Sequence, residues 1–145
     1  MTATMPTATV PTTTATSVDV EFLGVETYEI AVREHRVRVD QPLRDGGADQ
    51  APTPTELFVG SLAACVAFYA GRYLSRHGYQ RDGLRVRAEF EMASDRPARV
   101  SSVRLTLRPP ARFPAERLPA LLAVAAHCTV HNSIITEPDI AIAVE

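Results

Sequence analysis

Two cysteines, Cys65 and Cys128, are the residues of this 145-residue chain best suited to covalent chemistry. A thiolate is a strong nucleophile and can be oxidised and reduced repeatedly. By composition alone each cysteine also reads as a small core hydrophobe, because free cysteine is among the most buried residue types. Both lie on, or at the end of, an apolar segment. Helices of that kind meet in a core, and two thiols brought together there would form an oxidisable dithiol. The sequence alone leaves that approach open.

Glu56 is the acid nearest to Cys65 in the chain. It stands three residues after Thr53, the reciprocal position of a capping box, which suffices to explain it. Nine residues along one straight helix is roughly 13 Å and the opposite side, so Glu56 cannot touch the thiol of its own helix. A catalytic part for it would run through a partner subunit's site or through positioning another group. Cys128-Thr129-Val130-His131 has a C-x-x-H spacing, and Cys65, His77 and His127 could be added to make a zinc site. The paired short spacings of structural zinc sites are missing, so no metal is expected. His131 is expected at the surface or bonded to the turn, and His35 and His77 in solvent. No serine nucleophile elbow and no His-Glu-x-x-His helix occurs.

All fifteen basic residues are arginine. Without a lysine there is no Schiff-base or P-loop chemistry, and no Gly-rich phosphate loop is present. A net charge of −2 gives no footprint for nucleic acid or an anionic membrane. A hydrophobic share of 46% against 22% charged is ordinary for one globular domain.

These residues need elements to hold them. Val18 to Asp40 alternates polar and apolar residues in Tyr28-Glu-Ile-Ala-Val32 and Arg36-Val-Arg-Val39, the pattern of a hairpin turning at Arg33-Glu34-His35. Gln41 to Pro54 is a loop punctuated by Gly46-Gly47 and prolines. Thr53-Pro54-Thr55-Glu56 then starts a helix that runs to Gly78, with Cys65 in its middle. From Leu57 to Ala70 this helix is apolar nearly all round; that stretch is too short to span a bilayer, but more than a 145-residue monomer easily encloses. A second subunit is the economical cover. Leu84 to Met92 and Val103 to Leu107 alternate as a second antiparallel hairpin. Pro114 opens a second helix ending near His127-Cys128, and Ile140 to Val144 reads as a closing strand. Strands grouped in runs indicate an α+β fold. Residues 1–17 read as a disordered Thr/Ala/Pro tail and 18–145 as one domain. The tail lacks the basic start and apolar run of an export signal, so a cytoplasmic location is expected, where a purely structural disulfide is rare.

Val39 to Leu74 and His127 to Glu145 resemble the OsmC/Ohr family of organic hydroperoxide reductases. Three features carry the likeness: a P-x-E-L helix start leading to Ala63-Ala64-Cys65, a Gly-Gly loop before it, and Cys128 heading a C-x-x-x-N segment before the last strand. The resemblance implies antiparallel sheets around two central helices in an intertwined homodimer, with two sites at the subunit interface. It implies that Cys65 is peroxidatic, that Cys128 resolves its sulfenic acid into a disulfide, and that a thiol reductant (lipoyl-type, small or thioredoxin-like) reopens it, with no cofactor. Two departures stand out. The family's best-studied members have glutamate ten residues before the cysteine, where this chain has Thr55 and Glu56 follows. Their arginine sits in a Gly-Gly-Arg turn, whereas the hairpin here is shorter; Arg36, beside the turn, is the candidate, against the alternative of a solvated strand arginine. A non-catalytic protein of the same fold, binding a hydrophobic ligand or sensing redox state, is the competing reading.

Overall fold

The computed structural model describes residues 16–145, so most of the expected tail, residues 1–15, lies outside the described residues. The chain divides into two compact units, one ending at Pro52 and one beginning at Thr53.

In the first unit, β1 (Asp19–Gly24), β2 (Thr27–Val32) and β3 (His35–Val39) form an antiparallel sheet in sequence order. Ile30 faces Val20 on one side and Val37 on the other, which puts the apolar positions on one face. Both turns use non-glycine residues in the left-handed region, Val25 at φ 55° and Arg33 at φ 51°. The loop after β3 is organised by Asp40, which is buried. Its carboxylate accepts the backbone N–H groups of Gln41 (2.7 Å), Gln50 (3.1 Å) and Ala48 (3.3 Å). A Cβ on Gly47 would run into the Gln41 carbonyl and the Asp40 carboxylate, so only glycine lets the loop close over this acid.

The Gln50 N–H is the largest influence holding the Asp40 carboxyl below its ordinary value of 3.8; the Gln41 and Ala48 N–H groups and the Thr27 hydroxyl act with it, and burial opposes them. A carboxylate with a lowered folded pKa contributes stability above its ordinary pKa and loses it as pH falls through the folded value. Asp40→Asn is therefore expected to lower the melting temperature at pH 7 and to flatten its dependence on pH below 4, as thermal melts between pH 7 and pH 2.5 would read.

The second unit is built on α1 (Pro54–Arg76). The expected capping box is present: the Glu56 N–H donates to Thr53 Oγ1 (3.1 Å), and the Thr53 N–H donates to Glu56 Oε1 (3.0 Å). Two hairpin strands, β4 (Arg85–Met92) and β5 (Val100–Arg108), pair antiparallel, with Val86 opposite Leu107, Ala88 opposite Leu105 and Phe90 opposite Val103. A 3-10 turn over Ala115–Arg117 leads into α2 (Leu118–Ala125), and α3 (Thr129–Ile135) follows. The core joins one stripe of α1 (Leu62, Val66, Ala70, Tyr73, Leu74) to Leu121, Ala125 and Cys128, with Val86, Val103, Leu105 and Leu107 of the hairpin packed against it. Taken over its full 23 residues rather than Leu57–Ala70, α1 is long and apolar enough to cross a membrane by length and composition, although this stripe of it is packed as core.

Two elements differ from expectation. The seven-residue α3 lies in a stretch, between Cys128 and Ile140, for which no element is expected from sequence. The closing strand does not form: residues 137–145 have no regular structure, and Ile140, Ile142 and Val144 are 81%, 93% and 98% exposed. The alternation there is that of a strand, but a strand forms only when its backbone N–H and C=O groups pair with a neighbour, and the segment joins neither sheet.

Candidate active site

Cys65 lies in the middle of α1, half-buried, on the edge of the core cluster. Cys128 lies at the junction of α2 and α3 with no exposed surface. The two are free thiols, and Cys65 packs against the cluster that contains Cys128, close enough to raise the titration of its thiol. The structure thus brings together the pair whose approach the sequence left open.

Local bonds fix the Cys128 segment. Cys128 is the N-cap of α3, and its Sγ accepts the His131 N–H at 3.4 Å. His131 Nδ1 is 2.6 Å from the Ala126 carbonyl oxygen, and Asn132 Nδ2 donates to the His127 carbonyl at 3.3 Å. The C-x-x-H spacing is thereby explained: it wraps the capping turn around the sulfur. Burial pushes the Cys128 thiol above its ordinary value of 9.0; the His131 N–H opposes this, and hydrogen-bond and charge contact with Cys65 adds to the rise. Cys128 is consequently protonated at neutral pH. The accessible thiol is Cys65.

One residue pair at the site carries no sequence signal. The Tyr69 hydroxyl, one turn after Cys65, is 2.7 Å from Thr129 Oγ1, next to Cys128. Farther along α1 a hollow of about 210 Å³ opens between Tyr69, Arg72, Tyr73, Arg76, His77 and Val124. His77 is exposed as expected, while its ring stacks on Tyr73 at 4.1 Å and its Nδ1 meets the Tyr73 carbonyl at 2.9 Å.

The other expected site residues have local roles. Glu56 is the cap of α1, nine residues before Cys65. Arg36 is bound within its own hairpin: Nη1 donates to the carbonyls of His35 (3.1 Å) and Arg33 (3.3 Å), and Nε lies 3.7 Å from Glu29. Among the described residues no three His, Cys, Asp or Glu side chains are grouped so as to hold a metal ion.

The family model for OsmC-like protein matches residues 46–143, from the Gly-Gly loop through both cysteines. The chain belongs to the OsmC-like family. Solved structures share its fold at low identity. A Psychrobacter arcticus 273-4 protein, named as a candidate osmotic stress induced and detoxification response protein, is 22% identical with a TM-score of 0.76, over 86% of this chain and 91% of that one. An OsmC like protein from Mycoplasma pneumoniae is 11% identical with a TM-score of 0.72, over 86% and 90%. An organic hydroperoxide resistance protein from Elizabethkingia anophelis is 18% identical with a TM-score of 0.64, over 86% and 92%. Among curated proteins none matches the chain. The α+β arrangement of small antiparallel sheets and helices is thus that of OsmC-like structures.

Proposed function

We propose that this OsmC-like protein is a thiol-dependent peroxidase that reduces organic hydroperoxides to alcohols, with Cys65 as the attacking thiol and Cys128 as the resolving one. The observation that carries the reading is the packing of a partly buried thiol against the cluster that fully buries a second one. An incoming hydroperoxide can reach only the first of them, while the second is held within reach of what the first becomes.

The Cys65 thiolate attacks the distal oxygen of R–O–O–H. The O–O bond breaks, and the alkoxide leaves and takes a proton to become the alcohol. Cys65 is left as Sγ–OH. Cys128 gives up its proton and attacks that sulfur; the S–S bond forms and the hydroxyl leaves as water. Two equivalents of an external thiol reopen the disulfide, restoring both cysteines and leaving the reductant oxidised. The family and the naming of one structural neighbour for organic hydroperoxide resistance support this reading. A cytoplasmic setting, which would supply such thiols, belongs to the same proposal.

Assembly as a homodimer is part of it. In the second unit Phe68, Ile140, Ile142 and Val144 are all more than half exposed in the single chain, much apolar side chain for a monomer to leave in water. A second copy would cover it and offer the C-terminal segment an edge, and sedimentation would read twice the chain mass.

The test is to treat reduced protein with one equivalent of cumene hydroperoxide for seconds, quench by alkylation and map the thiols by mass spectrometry. A Cys65–Cys128 disulfide with one equivalent of alcohol is the expected result. Two untouched thiols after minutes would overturn it. They would favour the non-catalytic ligand-binding or redox-sensing reading, which has its own support in Arg36 being engaged by its own turn.

A further inference from the structure

The two cysteines sit on segments far apart in sequence, and something must hold those segments in register. Packing does part of this: Cys65 and Tyr69 of α1 and Val130 of α3 all lie against the cluster that contains Cys128. Packing alone tolerates slippage, because apolar contacts are non-directional. The Tyr69–Thr129 bond supplies a direction. At 2.7 Å it has the length of a good O–H···O hydrogen bond. Tyr69 is one helical turn from Cys65, on the same face, and Thr129 is the residue after Cys128. The remaining polar bonds around Cys128, those of His131 and Asn132, close on carbonyls of the same segment and fix its shape rather than its distance from α1.

We infer that the Tyr69–Thr129 hydrogen bond is a staple that positions the Cys128 sulfur for attack on oxidised Cys65. Tyr69 and Thr129 are positioning residues: each acts through the cysteine beside it. The inference deepens the peroxidase reading and, for its kinetic part, rests on it. The step served is Cys65 Sγ–OH plus Cys128 Sγ–H giving the disulfide and water. An intramolecular step of this kind gains from pre-set geometry, and a loosened staple lowers the effective concentration of Cys128.

The test uses the full chain as wild type, Tyr69→Phe, Thr129→Val and Thr129→Ser. Phe and Val keep the bulk and remove the hydroxyl, whereas Ser keeps the hydroxyl. The first readout needs no peroxide. In glutathione redox buffers, the effective concentration of Cys128 toward the Cys65–glutathione mixed disulfide is expected to fall about fivefold to tenfold in Tyr69→Phe and Thr129→Val, the worth of one neutral hydrogen bond. Thr129→Ser should stay within about twofold of wild type on the same scale. Equal values in all four proteins, or Thr129→Ser falling with Thr129→Val, would overturn the staple. The second readout follows one equivalent of cumene hydroperoxide in the presence of dimedone. The share of oxidised Cys65 caught as the sulfenic adduct should rise in Tyr69→Phe and Thr129→Val but not in Thr129→Ser. A wild type that never oxidises with peroxide, yet shows the glutathione difference, would sink the peroxidase reading and leave the staple standing. The reverse pattern would sink the staple alone.

Discussion

Replacing Cys65 by serine is expected to reduce hydroperoxide consumption by at least about a thousandfold, to the rate of the external thiol alone, because the nucleophile itself is gone. Cys128→Ser should behave differently. It should release one equivalent of alcohol in the first turnover and then stall as a Cys65 sulfenic acid that dimedone can trap. The asymmetry follows from burial: Cys128 has no exposed surface, whereas Cys65 on α1 is only partly buried. A burst retained by Cys65→Ser and lost by Cys128→Ser would reverse the roles. The pH dependence separates the two steps further. Burial is the main reason the Cys128 thiol titrates above its ordinary value of 9.0, so its thiolate fraction rises about tenfold per pH unit throughout the range below that value. Disulfide formation, read by quenching the reaction at a series of times, should therefore accelerate steadily from pH 6 to pH 9. A plateau near neutral pH would show that another group limits resolution.

The same raised pKa carries a stability consequence of definite sign. The folded protein holds the Cys128 proton more tightly than the unfolded chain does, so this group favours folding at neutral pH. That contribution is lost as pH rises past the ordinary thiol range toward the folded value. Reduced protein should thus lose stability in alkali, in the opposite direction to the acid loss traced to Asp40.

How much of this was legible follows from the range of each signal. The start of α1 was readable to the residue because Thr53, Pro54 and Glu56 announce it within four positions and depend on nothing distant. Both hairpins were readable from alternation, which local register preserves. Helix α3 was missed because its N-cap is a cysteine, a residue outside the usual Ser, Thr, Asp and Asn signature. Asp40 carries no local sign of burial; its burial depends on the loop folding back so that Gln50, ten positions later, donates to it. The partnership of Tyr69 with Thr129 joins residues sixty apart, and no spacing rule reaches that far. The alternation of Ile140, Ile142 and Val144 is that of a strand, yet no strand forms there, because a pattern states what a segment can pair as and not that it pairs. For the site, the cysteines were legible as residues and, through the family resemblance, as a pair. Their difference in exposure, which separates attacker from resolver, came only with the packing of the cluster that encloses Cys128.

Leu121→Ala is expected to cost about 3 kcal/mol, a loss of roughly 10 °C in melting temperature for a domain of this size. Leu121 has no exposed surface and belongs to the cluster that joins α2 to the buried stripe of α1. Its removal leaves a cavity that the close-packed neighbours fill only in part, because Leu74 and Ala70 opposite it are themselves fully buried on a rigid helix. Leu122, the next residue, is 53% exposed, and its replacement by alanine should cost less than half as much. Thermal or urea unfolding of the reduced proteins would read both. The comparison bears on function through Cys128, which shares the cluster with Leu121 and owes its raised pKa chiefly to burial there. A cavity in the cluster that buries Cys128 loosens its enclosure, lowers the desolvation that keeps the thiol protonated and brings its titration down toward the ordinary value. Leu121→Ala should therefore shift the pH profile of disulfide formation to lower pH while it destabilises the fold, and Leu122→Ala should leave that profile in place. A Leu121→Ala protein that unfolds ten degrees earlier with an unmoved pH profile would mean that Cys128 is shielded by α1 and not by α2.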